Sequence, residues 1–405
     1  MIFSRTAALV VLVAAATARP AHADQVTDWI SIYDAINDTG GADEAFNPAV
    51  EQASSKLALA MFEAANAVDH RYESWLKVPP VATASGDAAV ATAAHDVLVS
   101  TFPAQRAGFD DAYLLAMARI ADGAARDAGI AAGHSAATAA LAAGGVDPAR
   151  ANPVPYWPKQ VAGVWQSTLP SYVTTDELSL KPWFMTAPSQ FRPGPPPALG
   201  SARWLKDLEE VRRIGAKAST ERSAEDTLRA RFWAPYSTAP AIAAVANQPG
   251  RSLVRNARLY ALVSMVMDDA ALANADAKLH YNFWRPISAI RAGGGNPAFK
   301  ADPRWEPLLR TPIHPEYTCG HCVAAASLAA VLKAEGAPPA GGYPFTNSRM
   351  PGLVVTVATP EEYVRQVSWS RVCAGVHYRF TAEVTEKMAA AVAANGLARF
   401  APAIN

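Results

Sequence analysis

The chain has 405 residues, long enough for one large domain or two with a sizeable buried core. Hydrophobic residues make up 51% and charged residues 18%, which excludes a disordered chain. Basic and acidic residues balance at 36 each, which argues against a broad basic surface for nucleic acid, and three cysteines are too few for a disulfide scaffold.

Met1 to Ala23 has the parts of a secretory leader. Arg5 gives the positive start, Ala7 to Thr17 is an apolar run, and Ala21-His22-Ala23 is a small-x-small cleavage site. The run is too short to span a bilayer. Loss of the leader leaves 34 basic and 36 acidic residues, a net charge of −2. No later stretch is long and apolar enough for a membrane span, so the expectation is an exported soluble protein, periplasmic or secreted.

Helical signals then dominate. Pro48 to Tyr72 repeats Leu57, Met61, Phe62, Ala65 and Val68 at three- and four-residue steps. Asp87 to Thr101, Gln105 to Ala125 and Ile130 to Ala143 are alanine-rich helices able to pack with it as a bundle. Eleven prolines fall between Asp147 and Pro197, which predicts a long loop that wraps the surface or covers a site. Helices resume at Ser201–Ala216, Ala224–Trp233, Arg251–Ala275, Phe283–Arg291, His321–Ala334, Glu361–Ala374 and Ala382–Phe400. Only Leu353 to Ala358 has strand character. The expected architecture is all-α, in two helical domains spanning residues 24–200 and 201–405.

The chemistry lies in the last third. Four of the seven histidines after the leader, His280, His314, His321 and His377, follow residue 278. Lys278 and Arg285 are seven apart, two helical turns, and would share a face if that segment is helical. Arg gives oxygens a planar fork and Lys a point charge. Gly320 opens a helix whose first N–H groups favour an anion. Gly375 is placed to end the helix bearing Arg371 and turn His377 away from it. Singly, each has a plain structural reading: a solvated Lys/Arg face, a helix-start histidine, a satisfied core histidine. His280, His70, His95 and His134 keep that reading. Together, the others describe a cage for a tetrahedral or trigonal-bipyramidal oxyanion, with two imidazoles left for chemistry.

The set resembles the three-part signature of the type 2 phosphatidic acid phosphatase and vanadium haloperoxidase superfamily, K-x6-R-P, P-S-G-H and S-R-x5-H-x3-D. Lys278, Arg285 and Pro286 match the first part, Gly320 and His321 half of the second, and Ser370, Arg371 and His377 the third except its last residue. The alanine-rich N-terminal half and the segment Phe191 to Pro197 are similar to the bacterial haloperoxidase-like branch. The resemblance implies helical bundles, the C-terminal one carrying the site. It implies vanadate as cofactor, bonded through vanadium to His377, with hydrogen peroxide and halide as substrates. His321 would be the acid/base, Lys278 would polarise the peroxide, and Lys278, Arg285, Cys319, Gly320 and Arg371 would hold the oxygens. The same cage would suit an acid phosphatase that uses phosphate and a phosphomonoester, with His377 as nucleophile, or a non-catalytic oxyanion-binding relative.

Three departures stand out. Thr318 and Cys319 replace Pro-Ser, exchanging a hydroxyl donor for a weaker thiol. Thr381 replaces the final Asp, removing a carboxylate that could orient an imidazole. His314 stands seven residues before His321, where haloperoxidases vary the residue near the halide. The cysteines allow a zinc or copper site from Cys319, His321, Cys322 and His377, but three nearby cations oppose it. In an exported protein a disulfide from Cys373 to Cys319 or Cys322 is expected instead. Exported protein should begin at Asp24; intact-mass measurement that finds Met1 or the apolar run retained would refute the leader.

Overall fold

The computed structural model describes residues 24–37, 48–150, 159–168 and 176–404. The leader expected at Met1–Ala23 lies outside the described residues, as does most of Ala151–Thr175. Among the described residues the chain is helical with one small sheet. No helix among them is long and apolar enough to cross a membrane.

The chain divides into two compact units: Met1–Gly145 with Ala243–Ser264 and Arg399–Asn405, and Val146–Ile242 with Met265–Ala398. In the first unit the helices are α1 (Gln25–Asn37), α2 (Pro48–Glu51), α3 (Ala53–Asp69), α4 (Gly86–Thr101), α5 (Arg106–Met117) and α6 (Ala124–Ala142). Helix α1 carried no signal in the sequence reading. Helix α3 is buried nearly all round, with Leu57 to Phe62 fully enclosed. It packs with α4 and α6, and α5 packs on α4, so the expected four-helix bundle forms. Ser85 starts α4 by accepting the Ala88 N–H, and His70 ends α3 in the left-handed region at φ 47°. His95 bonds Asp96 and Asp110 at 3.2 and 2.8 Å, and His134 bonds Asp96 at 2.5 Å, which accounts for both imidazoles structurally.

Small residues set the spacing of α4 and α6. A Cβ at Gly133 would lie 2.5 Å from the Ala89 carbonyl oxygen and 2.6 Å from Thr92 Cβ. One turn earlier, a Cβ at Gly129 would lie 2.5 Å from the Ser85 carbonyl oxygen. The two glycines thus face α4 four residues apart and let the backbones touch.

The second unit holds α7 (Ala202–Ile214), α8 (Ala224–Phe232), α11 (Pro286–Arg291), α12 (Gly320–Ala334), α13 (Pro360–Cys373) and α14 (Arg379–Arg399). Helices α9 (Ala239–Ala246) and α10 (Leu253–Tyr281) contribute residues to both ranges. Strands β1 (Tyr236–Ser237), β2 (Tyr343–Asn347) and β3 (Val354–Val357) form an antiparallel sheet in that order, pairing Tyr236 with Asn347 and Tyr343 with Val357. Only β3 was expected. Pro344 hides β2 in the sequence, although Tyr343, Phe345 and Asn347 alternate inward as a strand requires.

The compact units do not divide at residue 200. The described part of the proline-rich stretch belongs to the second unit, for an electrostatic reason. Asp269, fully buried on α10, accepts the backbone N–H groups of Trp183, Phe184 and Met185 at 2.7, 2.8 and 2.9 Å. Arg192 makes a two-pronged pair with Asp276 of the same helix, at 2.6 and 2.7 Å. A segment without ladder partners has its donors satisfied by a helix carboxylate instead.

Gly133→Ala should lower the melting temperature, because overpacking of about 1–3 kcal/mol outweighs the roughly 1 kcal/mol helix-propensity gain. Thermal unfolding followed by circular dichroism reads this directly; an unchanged or raised midpoint would mean the helices are free to separate.

Candidate active site

Helix α10 ends at Tyr281, and Asn282 follows at φ 46°. Lys278 and Arg285 therefore do not share a helical face, which corrects the spacing argument. Residues Asn282 to Trp284 run as an extended bridge: Trp165 N–H donates to the Asn282 carbonyl at 2.9 Å, and Trp284 N–H to Gly163 at 3.1 Å. Arg285 then stands as N-cap of α11, with Pro286 in its first turn. The two cations still converge, because both donate to carbonyls of the segment from His314 to Thr318.

An aromatic floor holds this reversal. Trp204, Phe283, Trp284, Tyr317, Tyr378 and Phe380 form one buried cluster. The Trp204 indole donates to the Gly294 carbonyl at 2.9 Å, and the Tyr378 hydroxyl to Trp284 at 3.2 Å. Residues flanking Arg285 and His377 are thereby fixed on rings with few rotamers.

Lys278 is buried, and its ammonium donates to the carbonyls of Pro315 at 2.8 Å, Glu316 at 3.0 Å and Thr318. Arg285, fully enclosed, donates to the carbonyls of His314 at 3.1 Å and Val376 at 2.8 Å. Its NH1 is 3.0 Å from His377 Nε2, and its NH2 is 3.1 Å from His314 Nδ1. Arg371 lies on the last turn of α13, with one NH2 contact to the Ala230 carbonyl at 3.4 Å, while its buried Nε has no partner among the described residues. Burial holds both guanidinium groups down at about 10, so both stay cationic near neutral pH.

Helix α13 stops at Cys373, and Gly375 takes φ 75°, as expected from the sequence. A Cβ there would lie 2.9 Å from Pro307 Cβ, so only glycine permits this turn. The turn delivers His377 to Glu316, whose Oε1 is 2.7 Å from His377 Nδ1. Glu316 also accepts the Thr381 hydroxyl at 2.9 Å and the Tyr378 N–H at 3.3 Å. Burial pushes its carboxyl up to about 7, against the pull of Arg285 and then Lys278. His377 is driven well below its usual range by burial and then by Arg285, so it is neutral.

His321 begins α12 beside Gly320, and its Nε2–H donates to the Ala234 carbonyl at 2.7 Å, leaving Nδ1 as the basic nitrogen. Burial and then Arg371 push it down to about 4. His314 is likewise held well down by burial and then Lys278. The Gly320 N–H belongs to the first helical turn, where α12 supplies no acceptor.

The cysteines require a correction. Cys319 and Cys322 are bridged, with Cα atoms 5.3 Å apart, and Cys373 is free and buried. The N-cap and third residue of one helical turn lie within bridging distance. Cys373 instead packs in a separate cluster with Ala230, Ala374 and Val376. The bridge removes the thiol donor expected of Cys319. It also removes the thiolates of a zinc or copper site, and among the described residues no group of three or more ligating side chains is arranged for a metal ion.

Residues 258–405 match the family model described as the VCPO second helical-bundle domain. Over about nine-tenths of its length the chain shares the fold of bacterial vanadium-dependent haloperoxidases. It is similar to the first bacterial vanadium-dependent iodoperoxidase at 22% identity and TM-score 0.72, over 93% of this chain and 94% of that one. It is also similar to a holo-type bacterial vanadium-dependent chloroperoxidase at 17% identity and TM-score 0.68, over 92% and 96% of the two chains. An apo-type bacterial chloroperoxidase matches at 16% identity and TM-score 0.65, over 89% and 96%. None of the curated proteins compared with the chain matches it.

Lys278, Arg285, Arg371 and His377 lie close enough to act on one another electrostatically, together with His314, which belongs to no part of the signature, and Gly320 and His321 open the neighbouring helix. Sequence reading missed Glu316, which belongs to no part of the signature. Its position three residues before Cys319 carries no periodic signal; only the missing carboxylate at Thr381 hinted that another would be needed.

Peptide mapping without reduction should find Cys319 and Cys322 joined within one peptide and Cys373 as the one free thiol. In the native protein Cys373 should resist alkylation, since burial pushes its thiol up to about 12; rapid native labelling there would contradict the enclosed site.

Proposed function

We propose that the chain is an exported vanadate-dependent peroxidase of the haloperoxidase type, which oxidises halide with hydrogen peroxide. Export rests on the leader-like segment Met1–Ala23, and the chemistry rests on the buried cage. The observation that carries the reading is the Arg371 guanidinium, which is buried close to His321 and His377, beside the buried cations Lys278 and Arg285. The Arg371 Nε is buried and has no partner among the described residues. Such an orphaned charged donor costs several kcal/mol unless an anion meets it. Vanadate fits that requirement.

Bound vanadate would supply activation of the peroxide. Lys278, Arg285 and Arg371 would hold its oxygens, with the Gly320 N–H adding a neutral donor at the helix N-terminus. His377 would present the Nε2 lone pair to vanadium, since its Nδ1 proton is engaged by Glu316. Lys278 would draw electron density from the reacting peroxide oxygen. His321 would hold or move a proton at Nδ1, its other nitrogen being tied to Ala234. An anion in the cage would cancel the influence of Arg371 on His321 and bring the imidazole back toward a useful range.

The same donors suit phosphate, so an acid phosphatase with His377 as nucleophile is the competing chemistry. The likeness to haloperoxidase folds extends over nine-tenths of the chain in two of the matches, including the N-terminal unit, and it favours the peroxidase. Parallel assays of one preparation decide: vanadate, peroxide and a halide on one side, a phosphomonoester on the other. Halide oxidation that requires vanadate is expected; phosphomonoester turnover alone would overturn the reading.

Vanadate binding measured by calorimetry should disappear in His377→Ala and be blocked by excess phosphate. His321→Ala should keep vanadate affinity within about tenfold while turnover falls at least roughly 10²-fold. Loss of both together would make His321 a ligand-holding residue. Unchanged turnover would transfer the acid/base role elsewhere, with His314 the first candidate.

A further inference from the structure

The superfamily signature closes on an aspartate four residues after the ring that faces the anion. Here Thr381 stands at that place, and its hydroxyl cannot accept and fix an imidazolium or imidazole proton as a carboxylate does. Glu316 arrives from the opposite direction, on the segment between α11 and α12. We propose that Glu316 is the positioning residue for His377, taking over from another element the role that Thr381 has lost.

The hydrogen bonds fix the direction of the argument. A guanidinium has donors and no acceptor. Arg285 NH1 lies 3.0 Å from His377 Nε2, so Nε2 must be the accepting nitrogen, with its lone pair directed at the guanidinium. The proton of the neutral ring is then on Nδ1, which is 2.7 Å from Glu316 Oε1. Glu316 therefore selects the tautomer in which Nε2 is unprotonated and could exchange its contact with Arg285 for a bond to an electrophilic centre. Its other oxygen takes the Thr381 hydroxyl at 2.9 Å, and the Tyr378 N–H reaches Oε1 at 3.3 Å. All three contacts donate to the carboxylate, which is what a fixed, fully enclosed acceptor requires.

The same residue also orders its neighbours through the backbone. The Glu316 N–H donates to Phe283 at 2.9 Å, two residues before Arg285, and its carbonyl accepts the Lys278 ammonium at 3.0 Å. One residue thus ties together the segments that bear Lys278, Arg285 and His377.

The geometry carries a reciprocal consequence. Thr381 touches Glu316 directly, so an aspartate at 381 would set two carboxylates in hydrogen-bond contact in a buried place, where they repel. Glu316 and a carboxylate at 381 are therefore alternatives, and threonine is the partner that Glu316 demands.

This inference rests on the oxyanion reading of the cage, and the test separates the two. Vanadate affinity is measured by calorimetry, and the His377 tautomer by nitrogen-15 NMR of the vanadate-free protein. Circular dichroism monitors folding of each variant. The unmutated protein should show His377 protonated at Nδ1. Glu316→Ala should lose about 10- to 100-fold in vanadate affinity and show a mixed or reversed tautomer. Thr381→Asp alone should also weaken binding, by repulsion. The double variant Glu316→Ala/Thr381→Asp should recover affinity and tautomer together, which a merely structural role for Glu316 does not predict. Should Glu316→Ala fail to fold, Glu316→Gln keeps the size but offers a neutral acceptor, and the His377 Nδ1 proton resonance should move. An unmoved resonance there, an unchanged tautomer in Glu316→Ala, or no recovery in the double variant would overturn the assignment. Absence of vanadate binding by the unmutated protein would instead sink the preceding reading, and the tautomer measurements would still decide the role of Glu316.

Discussion

Three buried cations set the terms for the second unit. Taking Lys278, Arg285 and Arg371 out of water costs several kcal/mol each, and of the three it is Arg285 and Lys278 that act on the Glu316 carboxyl. The fold tolerates them by giving Lys278 and Arg285 backbone carbonyls: Pro315, Glu316 and Thr318 for one, His314 and Val376 for the other. Dipoles that point their negative ends at a cation stabilise it without neutralising it. Net positive potential is left in the cavity, and a potential of this kind is what concentrates an oxyanion.

That arrangement needs rigid walls, because carbonyl dipoles help only where they cannot turn away. The aromatic floor supplies the stiffness. Tyr378 and Phe380 stack with ring centroids 5.1 Å apart, and Trp204 meets Tyr378 edge-on at 5.0 Å. Tyr378 follows His377 directly, and Trp204 also stacks on Trp284, the residue before Arg285, at 5.9 Å. The proline-rich segment is held to α10 by two acids, buried Asp269 and partly buried Asp276, and contributes the Gly194 carbonyl that accepts the Tyr317 hydroxyl at 2.7 Å. Its expected role as a loop over the surface is therefore only part of what it does.

The legible and the hidden features differ in a physical way. Helix positions were legible because apolar side chains recur along α3 at three- and four-residue steps and because Gly375 ends α13 locally. The cations and imidazoles were legible because their chemistry cannot be supplied by other residue types. The turn at Asn282 was hidden: a left-handed non-glycine residue leaves no compositional trace, so Lys278 and Arg285 looked like one helical face. The pairing of Cys319 with Cys322 was hidden as well, since it depends on where the N-cap of α12 falls, to the residue. Glu316 was least legible of all, because a carboxylate that serves a distant imidazole obeys no local spacing.

The bridge at Cys319 changes how the helix terminus works. With a hydroxyl at that place, a side chain would donate to an anion; with the sulfur committed to Cys322, no side-chain donor exists there. The sulfur instead accepts the Cys322 N–H at 3.2 Å, and the Cys319 N–H is taken by Thr385 at 3.0 Å. Two of the N–H groups at the start of α12 are therefore occupied internally, and the bond pins the turn between them. Gly320 and His321 lie inside that pinned turn, so their backbone direction is set covalently rather than by a flexible cap. What the site loses in a hydroxyl donor it retains in the helix dipole, whose positive end stays fixed toward the cations that share the cavity. On the proposed reading, recognition of charge would fall to backbone N–H, ammonium and guanidinium groups, which do not change protonation near neutral pH, while proton transfer would be left to imidazole.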